Sequence, residues 1–139
     1  MDRIKYDIKA MGFISIFEQT TGAKLKDCII GDSVLTFIVQ ENEIARAIGK
    51  HGSNVKRLER MLKKKVRIVE FKPVLVDFIK SLIYPLQAQE ISINEQNQII
   101  IKGPDVHTKS MLIGRNASNL RATEAVVKRY FEIKEIRVI

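Results

Sequence analysis

The residues best able to engage a ligand lie in one short stretch, Ile48-Gly49-Lys50-His51-Gly52-Ser53-Asn54. Two glycines flank two polar residues. Lacking Cβ atoms, Gly49 and Gly52 permit unusual backbone angles and let a sugar-phosphate chain approach the main chain closely. A helix starting just beyond Gly52 would aim unpaired N–H groups and the positive end of its dipole at an anion. Lys50 and His51, at the tip, can meet phosphate or remain in water. Ser53 and Asn54 suit the helix N-cap and could also donate to a ligand. The chemistry on offer is anion binding. The stretch is not a nucleotide-triphosphate loop, whose Gly-x-x-x-x-Gly-Lys-Ser/Thr pattern is missing. Taken alone, Gly-x-x-Gly also fits a plain corner between two helices.

Charge strengthens the anion reading. The 139 residues include 24 Lys or Arg and 16 Asp or Glu, a net charge of +8. Residues 46–67 alone carry +8, with Arg46, Lys50, Lys56, Arg57, Arg60, Lys63, Lys64, Lys65 and Arg67 against the single acid Glu59. A field this concentrated attracts polyanions through phosphate contact and counterion release. A solvated helix face has a similar composition, so charge by itself does not choose the polyanion.

Catalytic chemistry finds little support. His51 and His107 are the only histidines, and no Cys or His stands at ligand spacing from His107. Glu41/Glu43 and Glu132/Glu135 read as solvated or helix-end charges, and no carboxylate cluster suggests two-metal hydrolysis. Cys28, the one cysteine, lies in an apolar run and reads as a small buried hydrophobe. The expectation is a non-enzyme without metal or cofactor. No apolar run approaches the roughly 18–20 residues that span a bilayer. Met1-Asp2-Arg3-Ile4-Lys5-Tyr6-Asp7 lacks the apolar core of a signal peptide. A cytoplasmic protein with no membrane partner is expected.

The elements that must position the loop follow from periodicity. Ile4, Ile8, Met11, Ile14 and Phe17 recur at helical spacing over residues 3–20, and Thr21-Gly22 reads as a stop. Residues 24–30 and 33–40 are β-rich runs around Gly31-Asp32, a hairpin signal. The second is apolar on both faces, which places it inside a sheet. Residues 41–48 read as a short helix with Ile44, Ala45 and Ile48 on one side. Residues 53–64 form a second helix that buries Val55, Leu58, Met61 and Leu62 and leaves Lys56, Arg57, Arg60, Lys63 and Lys64 outside. Residues 66–71 close the unit as a strand, and Lys72-Pro73 marks a boundary.

The same order then recurs: helix 74–84, strands 87–93 and 98–102 around Asn94–Asn97, a helix ending at Ile113, a helix over 118–131 and a strand over 134–139. The letters repeat as well. Ile48–Glu59 lies over Ile113–Glu124 at an offset of 65, with five of twelve positions identical. Two homologous small domains, 1–72 and 73–139, are therefore expected.

At this point a family comes into view. Ile48-Gly49-Lys50-His51-Gly52, between two helices and after a strand pair, resembles the signature loop of K homology (KH) domains, which clamps about four nucleotides of single-stranded nucleic acid by their backbone. The element order looks like the prokaryotic, type II form. Two such units in tandem resemble the archaeal NusA-like transcription factors, over essentially the whole chain. The repeats leave no room in these 139 residues for the polymerase-binding N-terminal domain or S1 barrel of bacterial relatives. The implied fold is α+β (an α/β sandwich), with each three-stranded sheet covered on one face by helices.

The implied function is non-enzymatic binding of single-stranded RNA during transcription elongation and termination, with RNA polymerase or other transcription factors as possible partners. The implied RNA-binding residues are Arg46, Ile48, Gly49, Lys50, His51, Gly52, Ser53, Asn54, Lys56, Arg57 and Arg60. In the second copy they are Gly114, Arg115, Asn116, Ala117, Ser118, Asn119 and Arg121. Ala117 replaces the second glycine there, which implies a weaker grip. Two other readings stay open: a KH-type module that docks on structured or ribosomal RNA or on protein, and a helix-turn-helix-like reader of duplex DNA. Against the latter, a dense row of Lys and Arg suits phosphate contact better than base discrimination.

Overall fold

Alternation of period two and period 3.6 along this chain builds the same six elements twice. The computed structural model describes residues 8–31 and 33–139, and the chain divides into two units between Phe71 and Lys72. The first unit runs α1 (Ile8–Thr21), β1 (Leu25–Ile30), β2 (Val34–Val39), α2 (Ile44–Ile48), α3 (Ser53–Leu62) and β3 (Lys65–Glu70). The second runs α4 (Leu75–Ile83), β4 (Glu90–Ile93), β5 (Gln98–Lys102), α5 (Val106–Ile113), α6 (Ser118–Lys128) and β6 (Glu135–Val138). A tight turn, Lys50–Gly52, precedes α3 and another, Arg115–Ala117, precedes α6.

Each sheet has its second strand in the middle, in the orders β1-β2-β3 and β4-β5-β6. The hairpin pairs β1 with β2 and β4 with β5 antiparallel, whereas β2–β3 and β5–β6 are parallel. A parallel neighbour requires a crossover, and the helix pair carrying the glycine corner supplies it in each unit. The expectation that residues 33–40 lie inside the sheet is met: Leu35, Phe37, Ile38 and Val39 are all buried, which uses both faces of β2. Phe17 of α1 stacks on Phe37 at 4.4 Å, and Cys28, Ala47 and Leu58 complete that core. In the second unit Phe78 packs edge-on against Tyr130 at 5.7 Å and beside Phe131 at 5.9 Å.

Several expected details are corrected. The start of the first helix, including Ile4, lies outside the described residues. Within α1, Ile8 and Met11 are exposed, at 89% and 60%, and the buried side runs through Ala10, Phe17 and Thr21. Apolar residues surround α1, so periodicity alone did not single out the face that Phe37 selects. Helix α2 begins at Ile44, not Glu41, and buries Ala47, while Ala45 and Ile48 face outward. The sheet holds the preceding turn: the Asn42 N–H donates to the Glu70 carboxylate at 2.7 Å, and the Lys24 N–H to that of Glu43 at 2.8 Å. Met61 is exposed on α3, which ends at Leu62 with Lys63 left-handed. Helix α6 ends at Lys128, where the N–H groups of Arg129 and Tyr130 turn back three residues and bring the aromatic pair to Phe78.

Candidate nucleic-acid interface

The corner between α2 and α3 is built by three residues with positive φ. Gly49 closes α2, its N–H donating to the Ala45 carbonyl at 3.0 Å, and then adopts φ 78°, ψ 170°. That region belongs almost solely to glycine. His51, at φ 56°, ψ 30°, and Gly52, at φ 73°, ψ 20°, are both left-handed. The chain thus reverses within four residues and starts α3 at Ser53, whose N–H donates back to the Lys50 carbonyl, as the Gly52 N–H does to Gly49 at 3.1 Å.

The second unit reproduces this geometry: Gly114 at φ 74°, ψ 174°, Asn116 at φ 55°, ψ 34°, and Ala117 at φ 61°, ψ 23°. Replacing glycine by alanine has not changed the backbone. It has put a methyl on it, in a conformation that costs an L-residue roughly 1–2 kcal/mol.

The repeated letters acquire structural reasons. Neither Ser53 nor Asn54 caps α3; Gly52 stands at the cap without a side-chain hydrogen bond. Instead the Asn54 amide Nδ2 donates back to the Arg46 carbonyl at 3.0 Å, and Asn119 does the same to Met111 at 2.8 Å. Glu59 accepts from the Val66 N–H at 3.0 Å and Glu124 from the Ile136 N–H at 2.8 Å, tying α3 and α6 to the strands that follow. Residue-type reasoning overlooked both roles. The signal was present in the identity of Asn54 with Asn119 and of Glu59 with Glu124 at offset 65.

Around the first corner Lys50, His51, Lys56, Arg57 and Arg60 are exposed, and none of them forms an ion pair among the described residues. Arg46 is also exposed but sits 3.6 Å from Glu43. Ile48, 36% exposed, offers an apolar surface next to Gly49, whereas Val55 is half-buried, in keeping with its core role. The second unit differs in charge rather than shape. Met111, Ala122 and Ala125 stand where the first unit has Arg46, Arg57 and Arg60, and Arg121 lies 3.6 Å from Glu124. Glu124 also approaches Lys128, at 3.9 Å.

Elsewhere in the second unit, the Thr108 N–H donates to the Asp105 carboxylate at 2.7 Å and caps α5. That bond, aided by the Thr108 side chain and the charge of His107, holds the Asp105 carboxyl below its ordinary value. His107 itself is exposed. Cys28 is buried in the core of the first unit, and the described residues contain no group of three or more His, Cys, Asp or Glu able to hold a metal. No helix among the described residues is long and apolar enough to cross a membrane.

Helix, strand, strand, helix, glycine corner, helix and parallel strand, twice over, define a protein of two tandem type II KH domains. A KH domain family model matches residues 14–82. The chain is 30% identical over 139 residues to the "Probable transcription termination protein NusA" of Methanococcus vannielii, covering 99% of this chain and 80% of that protein. It is 28% identical over 141 residues to the protein of the same description from Methanocaldococcus jannaschii, covering 100% of this chain and 77% of that one. Its fold is similar to the crystal structure of APE1850, with a TM-score of 0.78 and 28% identity over 96% of this chain and 99% of that chain. The chain belongs to the archaeal NusA-like family of KH-domain proteins.

Proposed function

We propose that this chain is a non-enzymatic, cytoplasmic factor of transcription elongation and termination that binds single-stranded RNA. Its first unit clamps the RNA backbone at Gly49–Gly52 and holds it with Lys56, Arg57 and Arg60. The observation that carries this reading is an open left-handed corner flanked by exposed Lys50, Lys56, Arg57 and Arg60, none of which forms an ion pair among the described residues. Phosphates would meet Lys50 and the positive end of α3, and a base would lie on Ile48. Asn54 takes part indirectly, its amide being engaged with Arg46.

The transcription role rests on the family, whose members are described as probable termination proteins, and contact with RNA polymerase or other transcription factors belongs to the same proposal. The second unit contributes a weaker contact through Gly114, Arg115, Asn116 and Ser118, with Asn119 engaged by Met111 as Asn54 is by Arg46. Its face has lost the equivalents of Arg46, Arg57 and Arg60, and Arg121 is drawn toward Glu124.

Competition binding tests the proposal. A labelled single-stranded RNA bound to the full chain should be displaced by unlabelled single strands at far lower concentration than by duplex RNA or duplex DNA. Equal displacement by duplex RNA would favour docking on structured RNA, and preferential displacement by duplex DNA a helix-turn-helix mode.

A further inference from the structure

The two glycines of the corner sit in different surroundings. A Cβ built on Gly49 would stand 2.9 Å from Cγ and Nδ2 of Asn54, and as near to the Ser53 hydroxyl. A Cβ built on Gly52 would meet nothing within 4 Å. The second unit repeats the contrast. A Cβ on Gly114 would fall 2.7 Å from Cγ and Nδ2 of Asn119, while the position matching Gly52 carries the methyl of Ala117 in an unchanged left-handed backbone. Packing within the chain therefore excludes a side chain at the first position of both copies and at the second position of neither.

We propose that Asn54 is the positioning residue of the clamp and that the glycines have separate tasks: Gly49 leaves room for the Asn54 amide, and Gly52 leaves room for the nucleic-acid backbone. The Asn54 amide satisfies the Arg46 carbonyl, one of the acceptors orphaned at the end of α2. It thereby fixes the last turn of one helix to the first turn of the next. A corner held in this way presents its N–H groups already oriented, so binding does not have to order them. The task of Gly49 concerns the free protein alone, whereas that of Gly52 rests on the RNA reading above.

Two substitutions in the full chain separate these tasks, read by amide NMR spectra of the free protein and by binding of a labelled single-stranded oligouridylate well below the melting temperature. Asn54→Ala should displace the amide signals of residues 46–52 in the free protein and weaken RNA binding about fivefold to tenfold, with the salt slope unchanged because no cation–phosphate contact is lost. Gly52→Ala should leave the signals of residues 46–49 in place and weaken RNA binding by about tenfold or more, the added methyl obstructing approach. Should Asn54→Ala fail to fold, Asn119→Ala puts the same question to residues 111–117 of the second unit.

Unmoved loop signals in the asparagine variants would overturn the positioning role. So would a lowered melting temperature with wild-type affinity, which is the signature of a residue that only supports the fold. Wild-type affinity in Gly52→Ala would overturn the division of the glycines. If the unaltered chain binds no single-stranded RNA, the RNA reading fails and Gly52's task with it, and the free-protein spectra still decide the role of Asn54.

Discussion

Replacing Ala117 with glycine should stabilise the second unit even though it removes atoms. Ala117 occupies φ 61°, ψ 23°, a left-handed conformation that costs an L-residue roughly 1–2 kcal/mol and glycine almost nothing. Glycine returns part of this gain, about 0.4–1 kcal/mol, because its unfolded chain has more freedom to lose. The difference leaves a net stabilisation of roughly 0.5–1 kcal/mol, which for a unit of this size raises the melting temperature by about 2–8 °C. Thermal unfolding by circular dichroism reads the shift, and labelled single-stranded RNA reads the second consequence: affinity should hold or rise, because the methyl no longer faces the incoming backbone. A melting temperature at or below that of the unaltered chain would refute the strain argument. A marked loss of RNA affinity would show that the second corner works by a different contact from the first.

Charge reversal at the tip, Lys50→Asp with His51→Asp, should weaken single-stranded RNA binding by about tenfold or more while leaving the melting curve nearly unchanged, since both side chains are exposed. Lys56→Ala should lower the slope of log affinity against log salt by about 0.7, the contribution of one single-strand phosphate contact, and titrations at several salt concentrations measure this directly. Glu59→Ala strands the Val66 N–H that its carboxylate now satisfies. The expected cost of about 1–2 kcal/mol should appear in denaturant unfolding of the first unit. Because the Asp105 carboxyl is held below its ordinary value, the cap it forms on α5 is fully effective above the ordinary carboxylate range and is lost as pH falls through the lowered value. Acid melting curves of Asp105→Ala should therefore be less pH-dependent than those of the unaltered chain.

The order of elements, the central place of β2 and the location of the corner were legible because they depend on local pattern: β-branched runs, glycine punctuation and a helix whose polar face is dense in cations. Details set by long-range partners were not. Ile8 and Met11 satisfy helical periodicity as well as Phe13 and Phe17 do, and only the stacking of Phe17 on Phe37 decides which side of α1 turns inward. The late start of α2 depends on Glu70, 28 residues from Asn42 in sequence. Asn54 reads as a cap from its type and place, yet its amide closes the corner from behind. The internal repeat was a better guide than residue type at that position, since Asn119 is kept in a unit where Met111, Ala122 and Ala125 replace three of the cations.

Photocrosslinking the full chain to single-stranded RNA and mapping the attached residues would show whether the first corner and its cationic flank hold an unpaired strand. Attachment is expected within residues 46–60, centred on Gly49–Gly52 and Lys56, with fewer events around Gly114–Arg121. Attachment concentrated on α1 or on the outer strands, with residues 46–60 unmodified, would contradict that mode of binding.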